Sequence, residues 1–430
     1  MKTPIYVFLF LIITLDLFSC KPIENKYRSF ADDDEIATIT TDDEKALLTA
    51  LDTLNTKGGT IYIDTPVITI TDSTLNILGT ISGGIIGVRQ SSGEYPRISF
   101  LGSNNIKGQS GLTIIGSNKF LEYLIIEHSL TNGVQVLGNN NIFDHVISRY
   151  NGGAGFYLVG NFNTLNYCYS YRNIDLSVYQ FDGDGFRIAG ESNNVMNYCF
   201  AWDNANNGFN YVRLSNSSDL SYVHSGSWNN GNIHVFTGKY DYDNGYPLDK
   251  RLITLQEVLK TDENFASNYY NKNFNIKNAK IGDISLGEWV AKMIPKLKGE
   301  GFTFGYINST QSIDVKRNSF FNVAFNNKAG GFTDNYNHRY NAFVTDCVSF
   351  NNGINYKLPY YVLSKWSNNW SWNSRYAENL NGNPSLLKPR NVNAAQRNFY
   401  SVRNQITNAV FANMFPDNVN FDKVISTLQQ

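Results

Sequence analysis

Two stretches hold the residue types that could do chemistry. Asp182-Gly-Asp-Gly-Phe-Arg187 brings two carboxylates and a guanidinium together, and Asp203-Asn-Ala-Asn-Asn-Gly-Phe-Asn210 adds a third carboxylate among four side-chain amides. Asp182, Asp184 and Asp203 could supply the paired carboxylates that glycoside hydrolysis needs. Arg187 could grip a uronate or sulfate group bidentately, or pair with Asp184 or Asp203 as an ordinary ion pair. Lys316, Arg317, His338 and Arg339 add positive charge further along, either as substrate-binding groups or as solvated surface charge.

The elements that must position these residues are written as a repeat. Asn141-Ile-Phe-Asp-His-Val-Ile-Ser-Arg-Tyr-Asn151 matches Asn163 to Asn173 and then Asn194 to Asn204, at offsets of 22 and 31 residues. A 22-residue unit of short alternating strands is one coil of a parallel β-helix, and the longer offset marks a loop inserted just before Asp182. After each segment comes Gly and a large apolar residue: Gly155-Phe156, Gly185-Phe186 and Gly208-Phe209, continued by Gly301-Phe302 and Gly331-Phe332. Stacked coils would put these rings in one internal column and turn Tyr157, Arg187, Asn210, Thr303 and Thr333 outward along a shared groove. The same register stacks Cys168, Cys199 and Cys347 inward as small hydrophobes, and lines up Asn151, Asn173, Asn204 and Asn327 as a ladder at a repeated turn.

Outside the repeat, residues 42–52 have helical spacing behind a capping Thr or Asp, and Gly58 to Asp64 alternates as a strand does. A helix there would close the open end of the solenoid. Residues 238–298 break the repeat with two helix-like segments and read as an insertion beside the groove, or as a surface ornament. Coils resume to about residue 390, and residues 391–430 read as a C-terminal cap. The expected fold is therefore all-β: a parallel β-helix over 42–390, with an N-terminal capping helix and a partly helical insertion.

The N-terminus reads as a secretory signal. Its apolar run, Ile5 to Leu17, is too short for a comfortable membrane span, and Leu17-Phe-Ser-Cys20 has the form of a lipobox. Residues 1–20 are then a lipoprotein signal peptide, Cys20 the lipidated first residue, and 21–41 a polar tether. That places the protein in a bacterial cell envelope, anchored in the outer membrane or at the cell surface. With 17% charged residues and a net charge of −1, the chain lacks the footprint of a nucleic-acid binder. A monomer is expected.

Asp184-Gly-Phe186, Ala201 to Asn210, Trp228-Asn-Asn-Gly231, Gly299 to Gly305 and Asn327-Lys-Ala-Gly-Gly-Phe332 together resemble polysaccharide lyase family 9 over roughly residues 110–355. That resemblance implies a right-handed β-helix, an exported protein, a uronate-containing polysaccharide as substrate, and calcium-assisted β-elimination. It also assigns positions. The calcium site would fall on Asp184, Asn206 and Asn207, with Asn210 at the position after Gly-aromatic. Asp182 and Asp203 lie close enough in the alignment to compensate partly for lost charge, Asp182 as a calcium ligand, and Asp203 and Asn210 are read as facing the substrate. At Asn206, Asn207 and Asn210 the family has aspartates, so three charges are missing, and its basic lysine is here Thr303. Thr303 has no useful pKa for taking a carbon-bound proton. Arg187 then becomes the candidate charge partner, and a glycan-binding protein without activity, or a glycoside hydrolase, remains open beside a lyase.

Overall fold

A computed structural model describes residues 35–71, 74–100, 110–129, 131–173, 183–189, 193–213, 219–231, 280–281, 284–285, 298–305, 316–334, 341–359, 362–380, 387, 393–416 and 424–425. It is a parallel β-helix, as the repeat requires, and right-handed, as the resemblance implied. One face is a nine-stranded parallel sheet whose strands include Val134–Val136, Phe156–Leu158, Phe186–Ala189, Phe209–Arg213, Glu300–Thr303, Gly330–Thr333 and Ile354–Lys357. The remaining faces form a continuous 19-stranded network in which each coil pairs with the next.

Register follows the Gly-Phe series. Phe156 pairs with Phe186, Phe186 with Phe209, Phe209 with Phe302, and Phe302 with Phe332. All five rings are buried and stacked, with centroids 4.6–5.1 Å apart, and Tyr356 extends the column. Gly before each ring has a steric reason: a Cβ at Gly185 would stand 2.6 Å from the Gly208 carbonyl oxygen, and one at Gly208 would stand 2.1 Å from Ser227 Oγ.

The asparagine ladder exists as expected and runs further. Asn151, Asn173, Asn204, Asn230, Asn327 and Asn352 each donate a side-chain N–H to the Oδ1 of the next, at 2.9–3.1 Å, ending on Asn355. The Oδ1 atoms of Asn173, Asn204, Asn230, Asn327 and Asn352 also accept a backbone N–H from the coil before, so one side chain satisfies the turn and links two coils. Cys168, Cys199 and Cys347 are buried and unbridged. Burial pushes the Cys347 thiol up to about 12, as suits a core residue and not a reactive one.

Helix α1, Glu44–Lys57, closes the N-terminal end: Asp43 caps it through the Ala46 N–H, and Leu47, Leu51 and Leu54 face the core. The strand Glu35–Ile39 pairs with Gly59–Ile63, so regular structure begins inside the segment read as a tether. The C-terminal helix α2, Asn393–Phe411, also departs from expectation. It lies along the flank of the solenoid rather than across its end, touching Tyr171 through Phe411 and, several coils later, Phe325 and Phe350 through Tyr400. The reason is a second aromatic column, Tyr171, Trp202, Trp228, Phe325, Phe350 and Trp372, which stacks along this face and needs a cover. Arg149 pins the end of the cover, bonding Glu127 (2.7 Å) and Asn413 Oδ1 (2.7 Å) at once. The helical segments expected within 238–298 lie outside the described residues; among the described ones, Lys280–Ile281 pairs antiparallel with Ile284–Ser285.

Candidate functional site

The outer row of the nine-stranded sheet carries the candidate site. Gln135, Tyr157, Arg187 and Asn210 succeed one another in register, with Thr303 one coil beyond Asn210 and Thr333 and Lys357 following. Tyr157, Arg187 and Asn210 are half-buried, as a groove lining should be. The Arg187 guanidinium lies 5.5 Å over the Tyr157 ring, a cation–π contact that braces it. Thr303 occupies the expected place in the row, but it is fully buried instead of lining an open groove. Its Oγ1 accepts the Tyr211 backbone N–H at 2.8 Å and faces Asn210 Oδ1 at 3.4 Å. Thr333 is buried too.

Asp184 is the centre of the arrangement, with no exposed surface. Oδ1 accepts from Asn206 Nδ2 (2.8 Å) and from the Asn207 backbone N–H (3.0 Å), and Oδ2 accepts from Asn210 Nδ2 (2.8 Å). Asn206, Asn207 and Asn210 therefore do gather around Asp184, as the sequence indicated, and they meet it with hydrogen-bond donors. Their oxygens are used elsewhere: Asn206 Oδ1 accepts the Lys298 N–H at 3.2 Å and Asn207 Oδ1 the Glu300 N–H at 2.8 Å. A backbone N–H can only donate, so these two amides cannot be turned without losing both bonds. Calcium needs about 6–8 oxygen ligands, and this donor set, in this orientation, does not fit it. Among the described residues no group of three or more His, Cys, Asp or Glu side chains could hold a metal.

Three expected site residues belong elsewhere. Asp203 does not join Asp184: it sits in a left-handed turn position (φ 55°), where aspartate is tolerated, and pairs with the buried Arg172 at 3.6 Å. Arg172 in turn lies 4.5 Å under Phe411, which places the pair beneath helix α2. Arg317 is not a groove cation. It occupies an inward strand position, fully buried, with Nε on the Phe304 carbonyl (3.0 Å) and its guanidinium 4.9 Å from the Tyr211 ring. Lys316, its neighbour of opposite parity, is exposed, with its backbone N–H on Asp219. Asp182, His338, Arg339 and Cys20 lie outside the described residues.

One residue was missed. Glu300 stands directly before Gly301-Phe302, as Asp184 and Asn207 stand before their own Gly-Phe pairs, so alignment of the repeats alone would have placed it beside them. It is nearly buried. Burial foremost raises its carboxyl above the ordinary glutamate value, the Asp184 charge adds to this, and Lys298 and Lys357 oppose it. As a carboxylate it would be a stronger base than an exposed glutamate.

The family model for the Pel9A-like right-handed β-helix region matches residues 27–246, more than half of the chain. The chain belongs to that family. Among solved structures it is similar to the crystal structure of pectate lyase Pel9A, at 17% identity and a TM-score of 0.55, covering 81% of this chain and 78% of that one. A rhamnogalacturonan lyase aligns at 16% identity and a TM-score of 0.49, covering 84% of this chain and 87% of that one. No curated protein sequence matches. The shared feature is the coil architecture.

Proposed function

We propose that the chain is an exported, lipid-anchored polysaccharide lyase-like protein of the bacterial cell envelope, which holds an acidic glycan along the outer row with Arg187 as its principal contact. The observation that carries this reading is the half-buried Arg187 braced over Tyr157, on the row beside Asp184. A planar, braced guanidinium loses little freedom on binding and matches a uronate carboxylate in geometry. β-Elimination removes the C5 proton of a uronate after the carboxylate has been neutralised. Arg187 supplies the neutralising charge, and Glu300 is the group around Asp184 with the chemistry to accept a proton. The proton would pass from C5 to the Glu300 carboxylate as the C4–C5 double bond forms, while the leaving oxygen carries off the electron pair of its bond to C4 and takes a proton from water.

The burial of Thr303 favours a second reading, a homologue that binds glycan without cleaving it. Purified protein screened against pectic, glycosaminoglycan and neutral polysaccharides separates the two. Absorbance of an unsaturated uronate supports elimination, retention on a polysaccharide without product supports binding alone, and reducing ends without that absorbance would indicate hydrolysis. Neither binding nor product on any acidic glycan would sink the proposal. The anchor is tested by Cys20→Ala, which should move the protein out of the membrane fraction.

A further inference from the structure

The residue before Gly-Phe traces a row of its own through the coils: Ala154, Asp184, Asn207, Glu300 and Gly330. Backbone bonds from Gly155 to Asp184, from Gly185 to Asn207 and from Gly208 to Glu300 confirm that these are neighbours on successive coils. Two successive links of the row are also made through a side chain. The Asn207 N–H donates to Asp184 Oδ1 and the Glu300 N–H donates to Asn207 Oδ1. One neutral residue thus separates two buried carboxyl groups.

We propose that Asp184, Asn206, Asn207 and Asn210 form a metal-free amide lock, and that the protein folds and keeps its groove without calcium. The argument turns on how many oxygens each side chain has. An aspartate at position 206 or 207 could accept the Lys298 or Glu300 N–H with one oxygen and offer the other to a cation. Asparagine has a single oxygen, and with that oxygen on the N–H the other end of its amide is an NH2 group. The NH2 groups of Asn206 and Asn210 and the backbone N–H of Asn207 donate to the Asp184 carboxylate and hold in place the coils that a cation would otherwise have to hold. The Asn207 Nδ2 is buried with no partner among the described residues, so the position stays neutral even where that leaves a donor unsatisfied. An aspartate there would put three carboxyl groups on consecutive coils about 4.8 Å apart, whose mutual repulsion a cation or a bound proton would have to relieve.

The inference does not depend on the proposed function, because it is read from stability. The melting temperature of the purified protein should be the same in chelator and in saturating calcium. Asn207→Asp should melt lower than wild type in chelator and regain stability on adding calcium, and the combined Asn206→Asp, Asn207→Asp and Asn210→Asp variant should show a larger calcium-dependent rise. A wild-type melting temperature that falls in chelator and returns with calcium would overturn the lock. So would an Asn207→Asp variant that melts like wild type and ignores calcium. If that variant does not fold in either condition, the wild-type comparison decides alone.

Discussion

Thr303 Oγ1 receives the backbone N–H of Tyr211 at 2.8 Å across the two coils, so the residue expected at the position of a basic lysine is part of the wiring of the wall. Thr303→Lys should therefore not create a lyase. Removing the acceptor strands a buried N–H, and the ammonium would need a way out of a site with no exposed surface. A loss of about 1–3 kcal/mol is expected for the unsatisfied group alone, read by denaturant unfolding, with no unsaturated product from a pectic substrate. Appearance of that product would show that the wall opens and that only the base was missing.

Arg187 should behave differently from the buried arginines. Arg187→Ala is expected to weaken affinity for an acidic glycan at least tenfold, about 1.4 kcal/mol, while the melting temperature stays close to wild type. Arg187→Lys should recover only part of the affinity, since a lysine cannot lie flat on Tyr157 and donate in a fork. Equal affinity for all three proteins would remove Arg187 from the site.

The phenylalanine column is a stability device. Phe186 is stacked between Phe156 at 4.9 Å and Phe209 at 4.7 Å. Phe186→Ala should cost about 3–5 kcal/mol, measured by chemical denaturation, and a much smaller cost would mean that the coil collapses around the gap.

Acid should loosen the C-terminal cover. His128 is held neutral, chiefly by burial, with its pKa lowered to about 4. Burial alone would raise Glu127, but Arg149, His128 and Arg97 together bring it down to about 2. Both folded values lie below the unfolded ones, so both groups contribute stability that is complete at neutral pH and lost on acidification. His128 loses its share as pH falls from about 6.5 to about 4, and Glu127 loses its share from about 4.5 towards 2. Glu127→Gln should melt lower than wild type at pH 7, and the gap should close below the ordinary carboxylate range. A gap that stays constant with pH would mean that the Glu127–Arg149 pair is not coupled to folding.

Much of the architecture was legible because a solenoid repeats its instructions. Gly-Phe, the turn asparagines and the inward cysteines each recur at coil spacing, and one stacking rule places them all. Arg317 shows where that reading ends. It and Lys316 are adjacent cations, and a shift of one residue in strand parity sends one into the core and the other into solvent. Asp203 shows a second limit: it is close to Asp184 in the alignment of repeats, yet the left-handed turn it occupies directs it to Arg172 under helix α2.

By itself the sequence determined the coil, its register, the internal columns and the identity of the residues around Asp184, because these depend on interactions repeated from one coil to the next. Only the tertiary structure decided what those residues do to one another. Whether an asparagine shows its oxygen or its nitrogen to Asp184 depends on which backbone N–H stands behind it, and for Asn206 and Asn207 those groups, Lys298 and Glu300, arrive from more than ninety residues later in the chain. The same holds for the cover over the aromatic column: Arg149 meets Asn413 across 264 residues, a contact between unlike segments for which no repeat could supply the rule.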